Sequence, residues 1–251
     1  MVKKLLVVLV VVCLCSTVAL AFDPMGPPLA SQGKGNSSIG VDGSWTNTDM
    51  TRQPTDWSSA NRWVKIKMYK VFGTYVYGLA DNVDVFVRAG AGTLEWEKQS
   101  GRSYCWEGDD GDWDFIWGAG MRATLVEAPD VSWGFLAQFS DGTLTGSKEE
   151  DEYDYKGSYR VALTEIQLAA GPTWNAAQGL KIYGGPFVNL ISGKFEEYHW
   201  GDKPRKPINE ESWLGAYVGA QCELAPNCLL NIEWIQTQDG RGAAAGLIFR
   251  Q

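Results

Sequence analysis

The sequence predicts an all-β fold, a single antiparallel transmembrane up-and-down β-barrel of about ten strands, with eight or twelve strands as alternatives. The first observation behind this prediction is an alternation of apolar with small or polar residues from Trp113 to Ser140, interrupted only at 127–130. A period of two is typical of β-strands, because successive side chains leave opposite faces of the sheet. The second observation is that long polar connections alternate with short ones along the chain, which is typical of membrane barrels.

The composition of the two faces between Trp113 and Ser140 predicts which face meets lipid. One face is apolar and rich in aromatic rings: Trp113, Phe115, Trp117, Ala119, Met121, Ala123 and Leu125, then Val131, Trp133, Phe135, Ala137 and Phe139. The other face is mostly Gly, Ser, Thr and Gln, which is too small and too sparsely charged for a typical solvated surface. We therefore expect the apolar face to point outward into lipid. The alternative is a soluble secreted barrel in which that face points inward around an apolar ligand.

The first 21 residues have the features of an export signal. Lys3 and Lys4 precede an apolar run from Leu5 to Val12, and Ala19-Leu20-Ala21 forms a cleavage site before Phe22. We expect residues 1–21 to be removed and residues 22–34 to form a periplasmic N-terminal tail, too short to plug a barrel. Residues 35–251 then form the barrel. The formal net charge of −8 argues against a nucleic-acid partner, whose phosphates require a basic surface.

Taken in order, the chain gives ten predicted strands. Their ranges are 35–46, 62–78, 83–97, 113–125, 131–140, 157–174, 180–195, 211–224, 229–238 and 242–250. The connections after strands one, three, five and seven are long and polar, and those after strands two, four, six and eight are short. Long outer loops and short periplasmic turns are expected of a barrel in the outer membrane.

In this architecture the chain resembles the small bacterial outer-membrane β-barrel, or porin-like, proteins. The resemblance implies export to the outer membrane, contact with its lipid and lipopolysaccharide, and insertion by the barrel-assembly machinery. That machinery reads an aromatic residue in the last strand, and Phe249 lies two residues before the end of this chain. The implied role is structural or narrowly porin-like and not enzymatic, and no cofactor is expected.

The parity of strand four predicts a network of charges on the inner face. Its members are Lys65, Lys67, Arg88, Asp114, Arg122, Glu165, Lys181, Glu223 and Glu233. Because an isolated charge is costly to desolvate, opposite charges should pair there. Barrels of about eight strands are filled by their own side chains, so we favour a largely filled lumen over a narrow conduit.

The predicted loops contain two weaker candidate sites. His199 with Asp202, and Asp109 with Asp110, loosely resemble the rim site of the ten-stranded omptin proteases, in which carboxylates and a histidine surround a water. Asp109, Asp110 and Asp112 also form a weak Ca²⁺ candidate, since carboxylate oxygens are the ligands of that ion. A solvated loop and a plain surface histidine are the simpler interpretations, and no metal site is expected.

The mature chain has a possible disulfide. Cys222 and Cys228 flank a predicted turn, and in an oxidising periplasm they either close a small loop or remain separate thiols.

Overall fold

The computed structural model describes residues 23–52, 62–97, 111–150, 155–198, 205–210 and 213–251. In these ranges the chain forms eleven strands: β1 (Ser37–Arg52), β2 (Arg62–Ala80), β3 (Val83–Glu97), β4 (Asp114–Val126), β5 (Val131–Glu150), β6 (Tyr155–Ala177), β7 (Leu180–Tyr198), β8 (Arg205–Glu210), β9 (Leu214–Ala225), β10 (Cys228–Thr237) and β11 (Gly240–Arg250). No helix in the described ranges is long and apolar enough to cross a membrane. The signal-peptide prediction for residues 1–21 lies outside the described residues and stays a prediction.

Ten of the strands form a closed antiparallel barrel, which confirms the predicted fold class. Each of β1 to β7 pairs with the next strand, β7 continues to β9, and β9 to β11 complete the wall. β11 then pairs with β1 from Ser38↔Arg250 to Thr48↔Gly240, so the sheet has no free edge along this seam. A closed wall pairs the backbones of its strands with one another all the way round, as a lipid environment requires.

Short turns join the strands at one end of the barrel, which we call the turn end. Residues 81–82, 178–179 and 226–227 form two-residue connections, and residues 127–130 form a longer one. Gly179 has a φ of +70°, a backbone conformation that glycine adopts without steric cost. The other ends of the strands and the β10–β11 hairpin lie at the opposite end, which we call the loop end.

Two predicted boundaries at the loop end were wrong. The chain from Asp141 to Glu150 was predicted as a loop, but it continues β5 and pairs residue by residue with β6. The predicted loop 196–209 contains the end of β7 and all of β8 except its last residue. Both stretches are mostly polar, and the sequence pattern was for that reason interpreted as loop.

β8 fills a gap in the wall above the short β10–β11 hairpin. It pairs on one side with β7, from Ser192↔Asn209 to Glu196↔Arg205, and on the other side with the end of β1, from Met50↔Glu210 to Arg52↔Ile208. The hairpin ends below this level, where Thr48 is opposite Gly240. The wall is therefore sealed by β8 where two strands of the barrel have already ended.

The apolar face of β4 and β5 points outward, as predicted. Phe115 is 68% exposed and Trp133 is 51% exposed, while Leu136 on the opposite face is fully buried. The outward faces of other strands add exposed apolar residues, including Val41, Val87, Leu190, Val218 and Leu247. Together these residues surround the barrel with an apolar belt.

Candidate functional site

The lumen of the barrel is filled from the turn end by the N-terminal part of the chain. Residues 23–31, which we call the inserted segment, run from the mouth at the turn end to the middle of the lumen. At the mouth the Ser31 backbone nitrogen donates to Asp84 Oδ2 at 2.6 Å, and at the inner end Asp23 is 1% exposed. The prediction of a periplasmic tail too short to plug the barrel was therefore wrong for these residues.

The inner end of the inserted segment is held by an ion cluster. Lys70 Nζ lies 2.6 Å from Asp23 Oδ1 and 2.6 Å from Glu165 Oε2. Arg88 Nη1 lies 3.8 Å from the other oxygen of Asp23. Two positive charges therefore flank the Asp23 carboxyl and favour its ionised form.

A row of amide side chains extends this cluster across the lumen. Arg88 Nη2 donates to Gln138 Oε1, and Gln138 Nε2 donates to Gln167 Oε1. Gln167 Nε2 in turn donates to Glu165 Oε1 at 2.7 Å. Arg88 and the three residues it is linked to are all at most 5% exposed. The network is thus closed on itself in a water-poor interior, where hydrogen bonds reinforce one another.

A second pair of charges binds the backbone of the inserted segment. The nitrogens of Met25 and Gly26 donate to the two oxygens of Glu233 at 2.9 and 2.7 Å. Arg122 Nη2 donates to the Met25 carbonyl at 2.9 Å. Tyr183 donates its hydroxyl proton to Glu233 at 3.3 Å. Because the Glu233 carboxylate accepts hydrogen bonds from two adjacent backbone nitrogens, the inserted segment is bound through its main chain as well as through Asp23.

Glycine on the inner wall makes room for the N-terminal chain, both the inserted segment and the residues that follow it. A Cβ at Gly134 would lie 2.0 Å from the Pro28 carbonyl oxygen, and a Cβ at Gly78 would lie 1.9 Å from the Gly33 oxygen. No side chain fits at such distances. The two glycines therefore leave the space through which the N-terminal chain passes.

An apolar layer closes the lumen between the ion cluster and the loop end. We call it the upper apolar layer, and it consists of Ile66, Met68, Phe72, Leu94, Ile116, Leu144, Tyr159, Val161, Ile191, Phe195 and Ile208. All of these side chains are at most 5% exposed. The lumen is thus blocked twice, by the inserted segment and by the upper apolar layer.

Two small cavities lie near the inner end of the inserted segment, whereas a larger one of about 450 Å³ opens beside Leu29 and Ala30 at the mouth. One has a volume of about 50 Å³ and is lined in part by Asp42, Arg88, Arg122 and Glu233. Another, of about 20 Å³, lies between Lys70, Glu165 and the upper apolar layer. A buried water needs roughly 10–15 Å³, so the two small cavities hold a few waters at most.

The structure brings four of the predicted lumen charges to the inserted segment and moves two others to the outside. Arg88, Arg122, Glu165 and Glu233 line the middle of the lumen. Lys65 and Lys67, however, lie on the outward face of β2, opposite Asp49 and Asn47 of β1, and Lys67 also opposes Glu95 of β3. Their inward placement was wrong, because the even residues Ile66, Met68 and Phe72 fill the upper apolar layer.

The other predicted site residues lie at the two ends of the barrel. Lys181 and Glu223 are at the mouth of the turn end, and Glu223 is exposed. Asp114 is at the loop end of β4, where Thr145 donates to its Oδ2 through both the backbone nitrogen and the hydroxyl, at 2.5 and 2.8 Å. Phe249 is 48% exposed on the outward face of β11. Its role as an assembly signal stays a prediction.

The predicted disulfide does not form. Cys222 and Cys228 are both free thiols, and the register places Cys222 opposite Leu230 and Cys228 opposite Ala225. A register shift at Cys228/Leu229 accompanies this offset. The two cysteines are therefore not cross-strand partners.

The proposed rim and calcium sites fall largely outside the described residues. The described residues do not include His199, Asp202, Asp109 or Asp110. Asp112 is described, and it is exposed at the loop end. Within the described ranges no group of three or more His, Cys, Asp or Glu side chains is placed to hold a metal ion.

Sequence reasoning missed three polar residues that define the site. Asp23 was assigned to the tail, and Lys70 and Asp84 were assigned to no site. Lys70 carried a usable signal, since it shares parity with Met68 and Phe72 and a lysine is costly in a lipid-facing position. Asp23 carried none, because its partners are 47 and 142 residues away in the sequence.

Comparison with known proteins identifies the fold. No protein-family model and no curated protein sequence matches the chain. Among solved structures, the outer membrane protease OmpT from Escherichia coli aligns over 88% of this chain and 99% of its own, with a TM-score of 0.53 and 11% identity. The translocator domain of the autotransporter NalP from Neisseria meningitidis aligns over 87% of this chain and 89% of its own, with a TM-score of 0.47 and 13% identity.

The closed barrel, the apolar belt and the likeness to OmpT give the chain the fold of bacterial outer-membrane β-barrel proteins. At 11% identity the likeness concerns the fold alone. The lumen of this barrel contains a segment of the same chain that is bound by buried charges.

Proposed function

We propose that the protein is a non-enzymatic, non-conducting barrel of the outer membrane with a structural role. The single observation that carries this proposal is that the lumen is blocked at two successive levels. The inserted segment fills the half at the turn end, and the upper apolar layer fills the half toward the loop end. A ten-stranded barrel is close in size to those that side chains alone can fill, whereas clear aqueous channels belong to barrels of about 16–18 strands.

The ion cluster supports a closed state over a conduit. Lys70 is bound to two carboxylates at 2.6 Å, and its side chain is 8% exposed. A permeating ion would have to compete with these contacts and then cross a dry apolar layer, where desolvation costs several kcal/mol. The charges therefore act as supports for the inserted segment and not as the lining of a pathway.

Planar-bilayer recording of the purified mature protein tests this proposal. The wild-type protein and a variant lacking residues 23–31 are inserted at matched amounts, with an open porin as the positive control for insertion. Heat-induced mobility shifts on a detergent gel show that both variants are folded barrels. We expect no conductance steps from either one, because the upper apolar layer remains in the deletion variant. Steps from the wild-type protein, or from the deletion variant alone, would contradict a structural role and indicate an open or a gated conduit.

A further inference from the structure

The wall of the barrel leaves open space beside the inserted segment at the mouth of the turn end. Two cavities of about 460 and 450 Å³ lie there, and both are lined by Asn175 of β6 and Lys181 of β7. Leu29 and Ala30 of the inserted segment line the second one. We call the two cavities together the mouth vestibule. Spaces of this size commonly hold small molecules, whereas the small cavities deeper in the lumen admit only a few waters.

Two cations line the mouth vestibule from the inner face of the wall. Lys181 has the same parity on β7 as the buried Tyr183, and Arg250 has the same parity on β11 as the buried Ala244. Because side chains alternate between the faces of a strand, Lys181 and Arg250 both lie on the inner face. They share the cavity of about 460 Å³ and are near enough to repel each other electrostatically.

Neither of these cations has a hydrogen-bonded partner in the part of the chain that the structure describes. No ion pair or side-chain hydrogen bond joins Lys181 or Arg250 to a described residue, and Arg250 Nε is buried without an acceptor. Glu127 attracts Lys181 from beyond ion-pair distance. However, Glu127 and Glu223 are exposed and hydrated, whereas Lys181 and Arg250 are partly buried. Partly buried charges require partners, and a ligand of negative charge would supply one to both cations.

The neighbours of Lys181 fit a polar ligand that arrives from water. In the register of the sheet Lys181 lies opposite Asn175 on one side and opposite Gln221 on the other, and both of these residues line the same cavity. Each of them carries an amide group with two donor protons. The residues that follow Lys181 and precede Arg250, Ile182 and Phe249, are 36% and 48% exposed on the outer face. Lipid therefore contacts the opposite side of the wall, and the vestibule is open to solutes.

We propose that the mouth vestibule binds a small, water-soluble oxyanion, a carboxylate or a phosphate, through Lys181 and Arg250. The ammonium and guanidinium groups donate charge-assisted hydrogen bonds to its oxygens, and the planar guanidinium matches the geometry of either class of anion. The amide groups of Asn175 and Gln221 provide further donors beside the cations. Binding at the mouth does not require the barrel to be open or closed, so the bilayer recording leaves this proposal untouched.

Isothermal titration calorimetry of the mature protein in detergent micelles tests the proposal, with inorganic pyrophosphate and citrate as the two probes. We expect the wild-type protein to bind at least one probe at one site per barrel, and the preferred probe assigns the ligand class. Lys181→Met and Arg250→Gln should each weaken this binding at least about tenfold, since each removes a charge-assisted hydrogen bond. Heat-induced mobility shifts on a detergent gel show that the variants are folded.

Lys34→Met is the matched control for the titration. Lys34 is exposed at the same mouth, but it lines neither cavity of the vestibule. The Lys34→Met variant should therefore bind the probe as the wild-type protein does. Failure of the wild-type protein to bind either probe, or equal binding by Lys181→Met and Lys34→Met, would overturn the proposal.

Amine protection in the wild-type protein gives a second test that needs no substitution at the site. The folded protein is treated with an acetylating N-hydroxysuccinimide ester with and without the probe, and acetylation of Lys181 and Lys34 is followed by mass spectrometry. A probe at ten times its Kd should slow the acetylation of Lys181 about tenfold, because only the unoccupied site reacts. The acetylation of Lys34 should not change. Slowing of both lysines alike, or of neither, would contradict binding in the vestibule.

Discussion

Replacing Lys70 with methionine should release the inserted segment from the lumen. Lys70 is the only described cation within hydrogen-bonding distance of both Asp23 and Glu165, at 2.6 Å from each. Methionine keeps most of the volume and removes the charge, which leaves two buried carboxylates close together. Removing one partner of a buried ion pair costs roughly 3–5 kcal/mol. Since about 1.4 kcal/mol corresponds to a factor of ten, the population of released segment should rise roughly a hundredfold or more.

Protease accessibility measures this population. Chymotrypsin cleaves after Leu29 when the segment leaves the lumen, and the rate of cleavage follows the open population if the segment moves in and out faster than it is cut. The double variant Lys70→Met with Glu165→Gln removes one negative charge along with the positive one. It should therefore return most of the way to the wild-type rate, as expected for coupled residues.

Lys67→Met is the matched control for this experiment. Lys67 lies three residues away on the same strand, but it faces outward near the loop end, where an ion pair contributes roughly 0–1 kcal/mol. The Lys67→Met variant should therefore leave the cleavage rate of the inserted segment unchanged. The reasoning is wrong if Lys70→Met is cleaved no faster than Lys67→Met, or if the double variant is no slower than Lys70→Met.

Three further predictions test the wall of the barrel. Gly134→Val places a Cβ 2.0 Å from the inserted segment, so it should expose that segment to protease, whereas Gly43→Ala has its nearest contact at 3.9 Å and should not. Val87→Arg places a charge in the apolar belt and should destabilise the folded barrel by about 2–4 kcal/mol if residue 87 lies at the centre of the bilayer. Denaturant titration in lipid vesicles measures this change. An unchanged unfolding midpoint would place Val87 outside the hydrocarbon. Without reductant, Cys222 and Cys228 should both be alkylated once the protein is unfolded. In the folded state Cys228 should be modified faster than the buried Cys222. A disulfide found by mass spectrometry would contradict the observed register.

The fold was predictable from the sequence because the alternation of β4 and β5 is continuous and one-sided. Their outward face is apolar from Phe115 to Phe139, and their inward face is small or polar. In strand two both faces carry apolar residues, for example Val71 and Phe72, so composition does not distinguish inside from outside. A register shift between Gly78 and Ala80 adds to the difficulty. A shift of one residue reverses the facing of a strand, and nothing in the sequence marks its position.

The lumen was only half predictable, because its main occupant is a segment without secondary structure. Parity identified Arg88, Glu165 and Glu233 as inward-facing charges, but it could not show what they bind. Asp23 and Met25 belong to a stretch rich in proline and glycine, which by local pattern resembles a linker. Its placement depends on contacts up to 208 residues apart, such as that between Met25 and Glu233. Such contacts have no signature in local sequence.

The pairing of β8 with β1 has a consequence for the shape of the wall at the loop end. On that side the β10–β11 hairpin has already ended, and the short β8 continues the path of β9 along β7. The wall therefore has two strands fewer at this height. Neighbouring strands lie about 4.8 Å apart, so the circumference shrinks by roughly 10 Å at this height. The barrel therefore becomes narrower toward the loop end.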